Sequence, residues 1–106
     1  MATLIVNKDR KEAVTNKEFN IILNIFKGFT EVLTYGADYK YDEDKKVYFY
    51  YMRIKLFKHY PVVIGSIHTM YGRKIDIRTF YLDREKDTID VYIRGYAKEI
   101  KNGKGI

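Results

Sequence analysis

The feature that most constrains the fold is a change in the spacing of apolar residues near residue 37. Before that point, apolar residues follow the 3.6-residue period of an α-helix, and the polar residues form one stripe. Thr15-Asn16-Lys17-Glu18 has the pattern of a capping box, with Thr15 as the N-cap. Tyr35-Gly36 is typical of a helix end, because glycine is favoured just after the last turn. The sequence therefore predicts one long helix between Thr15 and Gly36.

From residue 37 onward the period is 2, which is typical of β-strands. Four segments have the length and the β-branched or aromatic content of strands: residues 47–57, 62–70, 74–82 and 88–96. A short strand is also predicted at residues 2–7, and the tail at residues 101–106 is expected to fray. The predicted fold class is α+β, with one long helix packed on a mainly antiparallel meander sheet.

A second organisation fits the same residues. Three short segments recur 36 or 41 positions later: Thr34-Tyr35-Gly36 as Met70-Tyr71-Gly72, Asp42-Glu43-Asp44-Lys45 as Asp83-Arg84-Glu85-Lys86, and Tyr51-Met52-Arg53 as Tyr92-Ile93-Arg94. This recurrence predicts a duplicated helix–hairpin unit, in which residues 61–71 form a short second helix that begins at Pro61. Residues 62–69 are rich in poor helix formers, which favours the strand. The duplicated unit is therefore the alternative to the meander.

In a meander, the turn lengths fix which residues lie opposite each other. One face of the sheet is then almost wholly apolar and is expected to cover the helix. The opposite face is polar, and its central cross-strand rows are Tyr51, His68, Asp76 and Arg94, and beside them Arg53, Ser66, Arg78 and Tyr92. Opposed side chains lie about 5 Å apart at Cβ, so these residues are expected to form one cluster.

This cluster predicts a small, basic, non-enzymatic binding protein whose ligand is nucleic acid, a nucleotide or another anion. The net charge of +6, from 20 Lys and Arg against 14 Asp and Glu, attracts polyanions. Guanidinium groups suit phosphate, and aromatic rings stack on bases. The predicted ligand-binding residues are Tyr51, Arg53, His68, Arg78, Tyr92 and Arg94.

Two other functions remain open at this point. The first is a protein-interaction module that binds a peptide or a second copy through the wide apolar arc of the helix, or through a sheet edge, and a homodimer is predicted. The other is a metal-free phosphodiester-cleaving enzyme, with His68 as a base oriented by Asp76. A structural hydrogen bond is the more frequent role of such a pair, so the sequence favours a protein without catalytic residues. No cofactor and no metal are predicted.

The length of 106 residues fits a single domain, residues 1–106. The chain has no cysteine, which excludes disulfides and thiolate metal sites. No apolar run reaches the roughly 18–20 residues of a membrane span, and the first eight residues lack the features of a signal peptide. We therefore expect a soluble cytoplasmic protein without a membrane partner.

The composition has a further bias. The chain has 11 tyrosines but no glutamine and no tryptophan, and it is rich in lysine and isoleucine. A scarcity of glutamine and cysteine is typical of proteins from hot environments. In these respects the chain resembles the small orphan proteins of viruses that infect hyperthermophilic archaea. The resemblance lies in composition without a shared motif, and it transfers no functional residue. It implies a thermophilic viral source with few relatives and a location in the host cytoplasm.

Overall fold

The computed structural model describes residues 11–42, 44 and 47–100, so the strand predicted at residues 2–7 and the tail at 101–106 lie outside the described residues. The elements are α1 (Asn16–Lys27), β1 (Val32–Asp42), β2 (Val47–Lys55), α2 (Tyr60–His68), β3 (Ile77–Asp83) and β4 (Thr88–Arg94), with short 3₁₀ turns at Met70–Gly72 and Ala97–Glu99. The predicted α+β class with an antiparallel sheet is confirmed.

Helix α1 begins at the predicted capping box. The Thr15 Oγ1 accepts a hydrogen bond from the Glu18 backbone N–H, and the Glu18 Oε1 accepts one from the Thr15 N–H. The predicted end at Gly36 is wrong, because α1 ends at Lys27 with Gly28 as its C-cap. The following residues, 32–42, form strand β1. Val32, Thr34 and Tyr35 are β-branched or aromatic, which suits a strand, and they pair with β2.

The strand predicted at residues 62–70 is also wrong, because residues 60–68 form helix α2. Pro61 lies in the first turn, where its missing N–H costs no hydrogen bond. Val63 and Ile67, one helical turn apart, are both buried against the sheet. Packing of this apolar stripe outweighs the weak helix propensity of valine and isoleucine. The element order is therefore a helix followed by a hairpin, twice, as in the alternative organisation.

The four strands of the described sheet lie in the order β1-β2-β4-β3, and each neighbouring pair is antiparallel. The two hairpins meet at the central strands β2 and β4. Tyr51 and Tyr92, which the 41-residue recurrence relates, are direct partners at that junction. The predicted meander is replaced by two hairpins joined through their second strands.

Both helices pack on one face of the sheet, which we call the helix-covered face. Its core includes Phe19 and Phe26 from α1, Ile67 from α2, and Tyr50 and Val91 from the central strands. The rings of Phe19 and Tyr50 stack with centroids 4.4 Å apart. In the described part of the chain, no helix has the length and apolar character needed to cross a membrane. Among residues 11–42, 44 and 47–100, no helix covers the other side of the sheet, and we call that side the open face.

Candidate nucleic-acid interface on the open face

The open face consists of strand residues that alternate with the core residues, and β2 and β4 lie at its centre. Three cross-strand rows follow from the register: Thr34, Arg53, Asp90 and Tyr81; Gly36, Tyr51, Tyr92 and Arg78; and Tyr39, Phe49 and Arg94. The predicted pairing of Arg78 with Tyr92 is confirmed. Beyond Thr79 a register shift in β3 pairs Tyr81 with Asp90, so Tyr81 lies on the open face.

A depression with a volume of about 280 Å³ lies on this face, and we call it the tyrosine pocket. Its lining residues are Thr34, Tyr39, Tyr51, Arg53, Asp90 and Tyr92. Three tyrosines, one guanidinium, one carboxylate and one hydroxyl therefore share a single concave surface. Three of the six predicted ligand-binding residues, Tyr51, Arg53 and Tyr92, line it.

Gly36 makes room for the ring of Tyr51. A Cβ atom at Gly36 would lie 2.6 Å from Cε1 of Tyr51, closer than such atoms can approach. The Tyr51 ring therefore lies across strand β1 instead of standing upright on the sheet. The sequence pattern predicts a helix end at Gly36, and this prediction hides the role of Gly36 because the predicted helix includes the start of strand β1.

Tyr39 reaches the open face through an irregularity in strand β1. The register shifts between Gly36 and Tyr39, and Asp38 adopts a φ of 68°. The rings of Tyr39 and Tyr92 have centroids 4.6 Å apart and an interplanar angle of 33°. Burial raises the pKa of Tyr92 above its usual value, and the neighbouring Tyr39 adds to this effect. The contact between the two rings forms a continuous aromatic wall of the pocket.

Arg53 and Asp90 form a two-pronged ion pair at one side of the tyrosine pocket. The Arg53 Nε donates to Oδ1 of Asp90 at 2.7 Å, and Nη2 donates to Oδ2 at 3.1 Å. The hydrogen bonds with Asp90, and then the charge of that carboxylate, raise the pKa of Arg53. The Arg53 side chain is nevertheless 50% exposed. The pair thus fixes the orientation of a guanidinium that solvent still reaches.

Asp76 anchors the other two predicted arginines beside the tyrosine pocket. Its side chain accepts hydrogen bonds from Arg78 Nε at 3.0 Å and Arg78 Nη2 at 3.2 Å, and it lies 3.1 Å from Arg94 Nε. The predicted pairing of Asp76 with Arg94 is confirmed. Only 3% of Asp76 is exposed, and its backbone is hydrogen-bonded both to Glu12 and to Arg94. The Arg78 guanidinium lies 5.4 Å from the centre of the Phe49 ring.

His68 does not lie on the open face. It belongs to α2, and its Nδ1 lies 2.7 Å from the carbonyl oxygen of Ile75. The strand prediction placed His68 beside Asp76, and that prediction is wrong because residues 60–68 are helical. The Asp76 carboxylate is instead held by Arg78 and Arg94. The pair of His68 and Asp76 proposed for phosphodiester cleavage therefore does not form.

A second depression, with a volume of about 480 Å³, lies between the two helices, and we call it the helix groove. Its lining residues are Ile25, Phe29, His59, Val62, Val63, Ser66, Ile67 and Met70. Phe29 is 54% exposed and Val62 is 68% exposed. The groove is apolar, whereas the tyrosine pocket combines aromatic and charged groups.

The described residues contain no group of three His, Cys, Asp or Glu side chains that could hold a metal ion. Comparison with family models, with curated proteins and with solved structures gives no match to this chain.

Proposed function

We propose that this protein binds single-stranded nucleic acid on the open face, with bases stacked in the tyrosine pocket. The observation that carries the proposal is the pocket itself, which places Tyr39, Tyr51 and Tyr92 beside Arg53 on the open face of the sheet. Open antiparallel sheets with aromatic residues on their central strands are an established surface for splayed-out bases.

Stacking supplies the main attraction in this arrangement. A base stacked on an aromatic ring contributes about 1–3 kcal/mol. Three guanidinium groups and two carboxylates leave the cluster of Arg53, Arg78, Arg94, Asp76 and Asp90 with one net positive charge. The local field is therefore weak, and the overall charge of +6 supplies longer-range attraction. This balance favours unpaired bases over duplex, because a duplex hides its bases from aromatic rings.

The test is fluorescence anisotropy with a short labelled single-stranded oligonucleotide of mixed sequence at low salt. Tyr51→Ala is expected to weaken binding between about 5-fold and 100-fold, the equivalent of one lost stacking contact. Tyr51→Phe keeps the ring and should bind like the wild type. Tyr71→Ala is the matched control, because Tyr71 is exposed in the 3₁₀ turn after α2 and does not line the pocket. Equal binding by all four proteins would contradict the proposal.

Salt dependence separates the contributions of stacking and charge. Each phosphate contact on a single strand adds about −0.7 to the slope of log K against log salt. Because Arg53, Arg78 and Arg94 are already paired with carboxylates, we expect only one to two phosphate contacts and therefore a shallow slope. A duplex of the same sequence should bind more weakly at every salt concentration. Tighter binding of the duplex would exclude stacking in the tyrosine pocket.

The second candidate function is protein interaction through the helix groove, with a second copy of this chain as the partner. The exposure of Phe29 and Val62 favours it. None of the described residues that line the groove is Lys, Arg, Asp or Glu, so these residues bring no like charges into contact when two copies meet there. Sedimentation velocity over a wide concentration range tests this dimer. We expect concentration-dependent association that Val62→Glu abolishes, and a monomer at every concentration would contradict it.

A further inference from the structure

We infer that the tyrosine pocket selects guanine, with Arg53 reading the edge of the base that carries O6 and N7. The inference rests on the proposed binding of single-stranded nucleic acid to the open face, and it adds base specificity to that function. It follows from the way in which Asp90 holds Arg53.

A guanidinium has five N–H protons in one plane, and Asp90 occupies one edge of that plane. It accepts the Nε proton and one Nη2 proton of Arg53. Both Nη1 protons and the second Nη2 proton have no partner among residues 11–42, 44 and 47–100. The outer Nη1–Nη2 fork is therefore available, and the 50% exposure of the side chain leaves it accessible from the pocket.

The outer fork presents two parallel donors, so it requires two neighbouring acceptors in the plane of a base. Guanine offers O6 and N7 on one edge, and an arginine fork on this edge is the commonest specific contact to a base. Adenine places a donor, the N6 amino group, beside N7 and repels the fork. Cytosine also has adjacent acceptors, but its single ring offers less surface for stacking against Tyr51 and Tyr92.

Asp90 gives this contact its selectivity. A free arginine side chain loses rotamer entropy when it binds, whereas Arg53 is already fixed by two charge-assisted hydrogen bonds. Thr34 lies directly across from Arg53 on the neighbouring strand and also lines the pocket. Arg78 and Arg94 do not offer such a contact, because both are paired with the buried Asp76 and neither lines the pocket.

The experiment compares oligothymidylates that differ at one central position, measured by fluorescence anisotropy. A central dG is expected to bind between about 5-fold and 100-fold more tightly than dT, dA or dC. With the 7-deazaguanine nucleotide, which lacks the N7 acceptor, the binding affinity should fall toward the value for dT. Inosine keeps O6 and N7 and lacks the 2-amino group, so it should bind like dG.

Two variants connect the preference to the ion pair. Arg53→Lys keeps the positive charge but lacks the fork, so the ratio of its affinities for the central dG and dT oligonucleotides should fall to about one, whatever the change in its affinity for oligothymidylate. Asp90→Ala removes a negative charge and frees Arg53, so it should bind oligothymidylate more tightly while its dG preference falls. Thermal unfolding of each variant checks that the fold is retained.

The outcomes distinguish this inference from the proposed function. Binding that depends on Tyr51 but is equal for all central bases, or that favours adenine or cytosine, overturns guanine selection and leaves the nucleic-acid function standing. Loss of binding with inosine also overturns the inference, because the 2-amino group would then be the part that is read. Failure to bind any of these oligonucleotides at low salt overturns both.

Discussion

The helix-covered face and the open face are built from alternate residues of the same strands, yet they carry different chemistry. On the helix-covered face, Met52 and Val91 are fully buried beneath the two helices. On the open face, their neighbours Tyr51 and Tyr92 line a depression together with an ion pair. The comparison indicates that one face supplies stability and the other is available for a ligand. Substitutions on the two faces are therefore expected to separate stability from binding.

The first prediction is that truncation on the helix-covered face destabilises the protein without altering ligand recognition. Phe19 is fully buried and stacks on Tyr50. Phe19→Ala should lower the free energy of unfolding by about 3–5 kcal/mol, through lost burial and the cavity left behind. Urea denaturation measures this loss. A change below about 1 kcal/mol would contradict the assignment of this face as the source of stability.

The second prediction concerns the stability of the core at high pH. Burial, and then the charge of Glu99, raises the pKa of Tyr50 to about 12. Because the folded protein holds this proton more tightly than the unfolded chain, its stability is full below pH 10 and falls as the pH rises toward 12. Guanidinium denaturation at several pH values measures the fall. Tyr50→Phe should reduce it, and an unchanged slope in that variant would exclude Tyr50 as the cause.

The third prediction is that removal of the Asp76 charge lowers the stability of the protein and raises its affinity for oligonucleotides. Asp76→Asn keeps the shape of the side chain and removes the charge that holds Arg78 and Arg94. Both arginines are partly exposed, so we expect a loss of only about 1–2 kcal/mol. The freed guanidinium groups should tighten oligonucleotide binding severalfold. Lower affinity in a folded Asp76→Asn protein would show that these arginines do not approach the nucleic acid.

The smallest effects come from a matched pair of glycine substitutions. Gly36→Ala forces the Tyr51 ring to move, which we expect to cost about 1 kcal/mol and to weaken oligonucleotide binding. Gly65→Ala places a methyl group in open space on helix α2, which should stabilise the protein by up to about 1 kcal/mol and leave binding unchanged. Thermal unfolding and anisotropy measure both. Equal binding by the two variants would remove Gly36 from the site.

The sequence predicts the parts of this structure that depend on local pattern. The capping box at Thr15 and Glu18 and the pairing of Arg78 with Tyr92 were predicted correctly, because each needs only neighbouring residues or one short turn. Helix α2 was predicted only by the alternative, because its valines and isoleucines suit both a strand and a buried helix. Whether this segment forms a strand or a helix depends on its packing against the sheet, which cannot be read from a local sequence pattern.

The same distinction applies to the site: the residues that follow from local alternation are predicted, and those that depend on the wider fold are not. Tyr51, Arg53 and Tyr92 follow from alternation along β2 and β4, so they were found. Gly36 and Tyr39 lie on strand β1, whose first half the sequence predicts to be helical. The position of Tyr39 also depends on a shift in the pairing register of β1. His68 was misplaced together with its segment. The proposed nucleic-acid function, the dimer, and the thermophilic viral source in the host cytoplasm all stay predictions.

The most direct test is an NMR titration with a dG-containing oligothymidylate that follows side-chain signals on both faces. We expect the ring signals of Tyr51 and Tyr92 and the Nε–H signal of Arg53 to shift as oligonucleotide is added, and to reach a plateau when the protein is saturated. The methyl signals of Ile25 and Val62, which line the helix groove, should stay in place. Shifts confined to those methyl groups, or no shifts at all, would contradict a nucleic-acid site on the open face.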